Sequence, residues 1–418
     1  MNLAHAIVAG AGLAGLSAAV VLAEAGVAVS LSDSAAQAGG RCRSYHDPAL
    51  GLTIDNGNHL VLSGNAAVTA YRDQIGASTP LAGPDHADFA FADLASGARW
   101  TVRINDGSLP WWVLSRQHRV PGTRLADYIP LARLLRGRDE PIGEVVEPSG
   151  ALWDRLLAPV LLAALNTPPA EASAALAARV LRETLGRGGL ATRPRIAEPT
   201  LAAAFIDPAL AWLEARGTRL AAGRRLRALE FSGDAVSALV WADGREEVAA
   251  DEAVILAVPS WVALELVPGL DAPVEHRAIV NAHFAFAATP DMPQMLGLIG
   301  GTAEWVFAHQ DRVSVTISAA DALVQQDREE LAKILWRDVQ HALGVTAPLP
   351  AWQIVKEKRA TFAATPAQDR LRPGARTRWR NLFLAGDWVQ TGLPATIEGA
   401  LRSGHTAARL ALGRPLLY

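Results

Sequence analysis

Three features of the 418-residue sequence predict an α/β fold. A short apolar run, a glycine-rich turn and an Ala/Leu/Val-rich segment succeed one another near the N-terminus. A second short run follows and ends in Asp33, and further strand-like runs return near residues 225–258 and 381–388. Half of the residues are apolar and only 19% are charged. At about 100–200 residues per domain, that is enough chain for two or three domains around a large core. The 39 basic and 42 acidic residues nearly cancel, which excludes a bulk basic surface for nucleic acid. Cys42, the lone cysteine, forms no internal disulfide and leaves no Cys-rich metal site, so a reducing compartment such as the cytoplasm is expected.

The first element is open to misreading. Ala6 to Ala23 carries no charge, a length that would suit a membrane span, although the basic start of a signal peptide is missing. Gly10-Ala11-Gly12-Leu13-Ala14-Gly15 interrupts the run. The order then becomes a strand over Ala6–Ala9, a tight turn, and a helix over Leu16–Ala25 stopped by Gly26. A second strand over Val27–Leu31 ends at Asp33. This is a Rossmann-type dinucleotide-binding βαβ unit. Gly10 permits the turn, Gly12 lets the backbone approach a pyrophosphate, and Gly15 lets helix and strand pack closely. The helix start at Leu13 and Ala14 offers N–H groups to the phosphates, and Asp33 is placed to accept from the adenosine ribose.

Gln37-Ala38-Gly39-Gly40-Arg41-Cys42-Arg43-Ser44 comes directly after the second strand. It resembles the "GG-R" signature of the FAD enzymes of the amine oxidase and phytoene desaturase superfamily. Gly39 and Gly40 would form a second close-approach turn, and Arg41 would offer its guanidinium to the pyrophosphate. Two remote segments match the same superfamily. The strand run within Gly217–Pro259 would return to the nucleotide domain, with Leu226 giving backbone contacts to the adenine. The Asn381–Trp388 stretch ends in Gly386-Asp387, whose carboxylate would bind the ribityl or pyrophosphate part. Thr396 and Ile397, at the next helix start, would face flavin N1/O2, where negative charge develops on reduction. The resemblance implies FAD. No second GxGxxG opens a βαβ unit, so the reductant is expected from outside the chain.

The predicted architecture is a Rossmann-type FAD-binding domain of the GG-R superfamily assembled from 1–70, 205–265 and 368–418. A discontinuous α+β substrate-binding domain takes 71–204 and 266–367, with helices over Leu152–Leu165, Glu171–Leu185 and Arg328–Leu343 and a strand over Val313–Ser318. Trp111-Trp112 and the Leu- and Arg-rich stretch Arg124–Arg138, interrupted by Pro130, admit two readings. One is peripheral contact with the inner face of the cell membrane; the other is an ordinary amphipathic helix over the substrate domain. The basic run Arg370–Arg380 is read as a solvated loop.

The whole chain resembles the hydroxysqualene dehydroxylases, also described as squalene-associated FAD-dependent desaturases. The resemblance rests on GAGLAGLSAAV at 10–20, GGRCRSY at 39–45, IDNGNHLVLSGN at 54–65 and LLAALNTPPAEAS at 161–173. KEKRATFAATP at 356–366 and NLFLAGDWVQTGLPATIEGALRSGHTAA at 381–408 complete it. Asp33 stands where the superfamily more often has Glu. The resemblance implies a long-chain isoprenoid substrate, hydroxysqualene, and reductive loss of its allylic hydroxyl to give squalene. Phe284, Phe286, Trp305, Phe307 and Trp388 are candidate lining residues, with cation–π support for an allylic cation. His59 is the candidate proton donor, because histidine titrates near neutrality; Asp55 is read as structural. A phytoene-type desaturase or an amine oxidase remains the alternative within the superfamily. The paired rings expected of an amine oxidase find little support in Tyr45, Tyr71, Tyr128 and Tyr418. A flavin-bound scaffold without turnover is the alternative of another class.

Overall fold

The computed structural model describes residues 3–415, and Tyr418 lies outside them. Five parallel strands form the nucleotide-side sheet in the order Leu220–Ala222, Ala28–Asp33, His5–Ala9, Glu252–Leu256 and Leu382–Leu384. Three remote parts of the chain therefore meet in one sheet. The helix Leu13–Glu24 and the C-terminal helix Ile397–Ala411 pack side by side against this sheet, and Ser17 Oγ donates to Leu401 O at 2.9 Å. The Ala-rich sequence of Leu13–Glu24 suits that position, because helices approach closely where side chains are small and nearly every face is covered. The charge-free N-terminal run is thus a buried strand and helix. Among the described residues no helix is long and apolar enough to cross a membrane.

A three-stranded antiparallel meander, Leu226–Ser232, Ala235–Trp241 and Gly244–Glu247, stands beside this sheet. Both long insertions contribute to a second, seven-stranded sheet. Its order is Trp352–Phe362, His276–Phe284, Val313–Ile317, Trp305–Ala308, Met295–Ile299, Ala87–Asp93 and Arg99–Ile104. Strand alternation gives this sheet two different faces. The outer face, with Phe284, Val306, Val315 and Leu298, packs on the helix Arg328–Leu343. Asp327 caps that helix through the N–H groups of Glu329 and Glu330, and Gly344 ends it at a φ of 67°.

The inner face divides. Toward one edge it is aromatic: Phe91 stacks on Trp100 at 5.6 Å and meets Trp305 edge-on at 5.7 Å. Toward the other it is polar, with Asn281, His283, Ser314 and Thr316. The helices Ala158–Leu165 and Ala174–Glu183 belong to the same apolar cluster as the aromatic part.

Candidate functional site

The glycine turn shows what each glycine does. A Cβ built on Gly10 would lie 2.2 Å from Ala257 O, and one on Gly15 would lie 1.8 Å from Gly10 O. Those two positions are closed by the protein's own backbone. At Gly12 a Cβ would meet nothing within 4 Å, so this backbone faces open space in front of the helix N-terminus. A helix start fronted by a side-chain-free position is the fit a pyrophosphate requires. Asp33 Oδ2 accepts from Ala11 N at 2.7 Å and its Oδ1 from Ala35 N at 2.8 Å, which fixes the carboxylate at the end of its strand. Arg224 N donates to Asp33 O at 2.8 Å, bringing the segment that leads into Leu226 to the same end of the sheet.

The GG-R turn lies alongside. Gly39 N donates to Ala11 O at 2.8 Å, Gly12 and Gly39 form a β-bridge, and a Cβ on Gly40 would lie 3.4 Å from Gly12 Cα. Arg41 Nη2 donates to Asp387 Oδ1 at 2.6 Å, so two residues 346 positions apart form one ion pair here. Gly386 N donates to Ser403 Oγ, and Thr396 Oγ1 caps the last helix by accepting from Gly399 N at 3.0 Å. Ile397 is the first residue of that helix, so its N–H is one that the helix cannot satisfy. Cys42 is buried and its thiol is pushed up to about 12 by burial, which removes it from nucleophilic or redox chemistry.

Sequence reasoning missed Arg372. It lies in the Arg370–Arg380 run expected to be solvated, yet its side chain is fully buried. Its guanidinium donates to the carbonyls of Asp387, Trp388 and Val389 and to Asp369. The Gly-Asp turn needed a clamp for three carbonyls, and a five-donor group supplies it. Glu398 was missed as well. It accepts from Ala67 N and Val68 N at 3.0 Å and from Arg402 Nε at 2.8 Å, joining the helix Ala66–Gln74 to the C-terminal helix.

The Asp55–His59 segment runs beneath the seven-stranded sheet. Asp55, read as structural, accepts from Ser44 Oγ and from Leu201 N at 2.9 Å, with Arg312 Nη2 at 3.7 Å. Burial holds its carboxyl above the usual range against those partners. Asn58 Nδ2 donates to Thr316 Oγ1 at 3.0 Å, and Thr316 Oγ1 donates to Asn281 Oδ1 at 2.8 Å. Asn58 Oδ1 and Trp305 Nε1 are both buried, and neither has a hydrogen-bond partner among the described residues. Thr316 connects them, being bonded to Asn58 and opposed to Trp305 across the strand pair.

His59 stands near Arg41 and Asp387. Burial first, and then the charge of Arg41, hold its imidazole down to about 4. The expectation that it titrates near neutrality is corrected: burial and the neighbouring guanidinium both favour the uncharged ring.

The lining expectation is corrected in part. Trp305 and Phe307 lie on the inner face, in the cluster that contains Phe91 and Trp100. Phe284 and Phe286 face the other way, with ring centroids 5.0 and 5.4 Å from Trp336 of the covering helix. Trp388 is buried beneath the Gly-Asp turn, where its Nε1 donates to Val258 O at 2.9 Å. That bond commits the ring to packing the turn.

The family model for flavin-containing amine oxidoreductases matches residues 13–412. The hydroxysqualene dehydroxylase of Rhodopseudomonas palustris is 53% identical over 409 residues, 97% of each chain. That of Zymomonas mobilis is 49% identical over 99% of each chain. The chain belongs to the hydroxysqualene dehydroxylase family. It is a flavin-dependent oxidoreductase of the amine oxidoreductase superfamily. Cyclohexylamine oxidase of Brevibacterium oxydans shares the fold, with a TM-score of 0.72 at 16% identity over 98% of this chain and 99% of that one.

Two segments of this family resemblance meet in space. Asn166, in a left-handed conformation with a φ of 46°, donates to Thr361 Oγ1 at 2.9 Å and accepts from Ala319 N at 2.7 Å. Thr167 Oγ1 accepts from Ala364 N at 2.8 Å. The Leu165–Pro169 and Lys356–Pro366 segments thus tie the helices of one insertion to an edge strand of the sheet.

Proposed function

We propose that the chain binds FAD and removes the allylic hydroxyl of hydroxysqualene, giving squalene, with electrons from an outside reductant. Full-length identity near one half to two dehydroxylases carries the reading. The overall change balances: the allylic C–O bond breaks, a C–H bond forms, and the hydroxyl leaves as water, the hydride and the proton together being the two hydrogens that a reduced flavin would give up. FAD, when bound in its reduced form, supplies the hydride for that C–H bond.

The chain's own residues do the rest. Gly12, Leu13, Ala14, Gly39, Gly40 and Arg41 hold the pyrophosphate, Asp33 and the Leu226 segment hold the adenosine end, and Asp387, Thr396 and Ile397 hold the ribityl and flavin end. Trp305 and Phe307, with Phe91 and Trp100, give the hydrocarbon a dry wall, and an indole face stabilises a developing cation. Asn58 Oδ1 and Trp305 Nε1 are a spare acceptor and a spare donor in that wall, the complement a hydroxyl presents. His59, being neutral, serves as a hydrogen-bonding group and not as the acid.

The test is direct. The protein is reduced anaerobically and mixed with hydroxysqualene; the flavin reoxidises as squalene forms in equal amount. Flavin that stays reduced with the alcohol but is bleached, from the oxidised form, by a polyene or an amine would overturn the reading.

A further inference from the structure

Among the described residues eight large apolar side chains are strongly exposed, and six of them lie together: Leu109, Trp111, Leu114, Leu125, Ile129 and Leu190. Trp111 is 61% exposed and Ile129 64%, values that leave most of each side chain in water. Hydrogen bonds and ring packing hold these residues in one region. Trp112, next to Trp111, meets Tyr128 edge-on at 5.6 Å, and Tyr128 OH accepts from Val120 N. Asn105 joins the remaining part, since its Nδ2 donates to Leu109 O at 2.9 Å and its carbonyl accepts from Gly189 N at 2.7 Å. The expected helix over Arg124–Arg138 is two short pieces, a 3₁₀ turn over Leu125–Tyr128 and a helix over Ile129–Leu134 that begins at Pro130's ring.

Charge marks the same region. Residues 107–138 contain six arginines and one acid, Asp127, in a chain whose formal net charge is −3. Asp127 is already engaged, accepting from Arg124 N at 2.7 Å. Exposed Trp, Leu and Ile among arginines, with almost no acid, is the combination that an anionic lipid surface complements.

Behind the patch, Trp112 and Tyr128 are buried. Both belong to the same apolar cluster as Trp100, Phe91, Trp305 and Phe307. Trp100, Phe91 and Trp305 make consecutive ring contacts along the inner face.

We propose that the surface of residues 107–138, with Leu190 at its border, rests on an anionic bilayer, and that the hydrocarbon substrate is taken up there. The uptake rests on the function proposed above, whereas the docking stands without it. Aliphatic and indole side chains enter the headgroup boundary, and the arginines pair with lipid phosphates.

The experiment uses the flavin-loaded protein with phosphatidylcholine vesicles, with and without phosphatidylglycerol, at low and high salt. The protein is expected to sediment with the anionic vesicles at low salt and to be released at high salt. A Trp111→Ser/Leu114→Ser/Ile129→Ser variant alters exposed positions only and is expected to lose about tenfold or more in partitioning. The same variant should turn over hydroxysqualene from detergent micelles as the parent does, yet turn it over more slowly from vesicles. Protein that stays in the supernatant with anionic vesicles overturns the proposal, as does a variant that binds them like the parent. A variant that changes the oligomeric state in solution also overturns it, by making the patch a contact between copies. If neither protein turns over the alcohol from either source, the proposed reaction fails while the sedimentation result still decides the docking.

Discussion

Replacing Gly12 and Gly15 separately by alanine distinguishes a glycine kept for a ligand from one kept for packing. At Gly15 the new methyl would lie 1.8 Å from Gly10 O, where ordinary contact begins above 3 Å, so the turn or the helix must move by more than an ångström. Overpacking of this kind costs about 1–3 kcal/mol or more, and here the obstacle is backbone. At Gly12 the methyl meets nothing, and φ is −72°, which alanine adopts freely. Gly12→Ala should therefore leave the flavin-free protein as stable as the parent, or more stable by about 0.4–1 kcal/mol through the unfolded state. Its loss appears only with cofactor. At FAD concentrations 100 times its dissociation constant, the parent gains about 2.7 kcal/mol by linkage. A variant bound 100-fold more weakly gains about 0.4 kcal/mol at the same concentration. Urea unfolding with and without FAD reads both numbers. If Gly12→Ala keeps the full FAD-dependent gain, the phosphates do not approach this backbone and the site is misassigned. If it unfolds like Gly15→Ala without FAD, the turn is not open.

Three other outcomes follow from the structure. Glu304 accepts from Ser318 N at 2.8 Å, and burial pushes its carboxyl from 4.5 up to about 7. The ionised form is the penalised one, so the penalty is absent below about 4.5, grows as pH rises, and levels off above about 7 at roughly 3 kcal/mol. Glu304→Gln should match the parent in urea near pH 4.5 and exceed it near pH 8; a difference constant with pH refutes the cause. His59→Gln should keep its pH–rate profile and most of its turnover, and a loss of roughly 10²–10⁴-fold would instead make His59 the proton donor. Glu398→Ala leaves the N–H groups of Ala67 and Val68 without their carboxylate, which costs about 3–5 kcal/mol as for a broken buried pair. Glu398→Gln, which can still accept from them, should recover part of that by thermal unfolding.

The nucleotide side was legible because its signals are local. Each glycine of the first turn is a backbone requirement written at one position, and Asp33 stands at a strand end that periodicity alone locates. The Arg41–Asp387 pair could be approached only through the superfamily resemblance, because nothing local relates residues 346 positions apart. Arg372 was misread for the opposite reason. It sits among arginines that are indeed exposed, and only the three carbonyls of the folded Gly-Asp turn distinguish it from Arg376 and Arg378. The titration of His59 was misjudged because the ordinary pKa of a residue type says nothing about the burial, and then the guanidinium, that folding imposes on it.

The lining aromatics show where sequence reasoning stops. Alternation states that Phe284 and His283 face opposite sides of their strand, and likewise Trp305 and Val306. It does not state which side is the cleft. That is decided by pairing: Val280 opposes Ile317 and Asn281 opposes Thr316, which puts the polar residues of two strands on one face and the aliphatic ones on the other. The amphipathic helix Arg328–Leu343 then covers the aliphatic face and takes Phe284 and Phe286 with it. With that face occupied, the inner face is the one left on this sheet for the hydrocarbon proposed above. It is the face that carries the rings of Trp100, Phe91 and Trp305 and a bonded Asn58–Thr316–Asn281 cluster with one acceptor to spare.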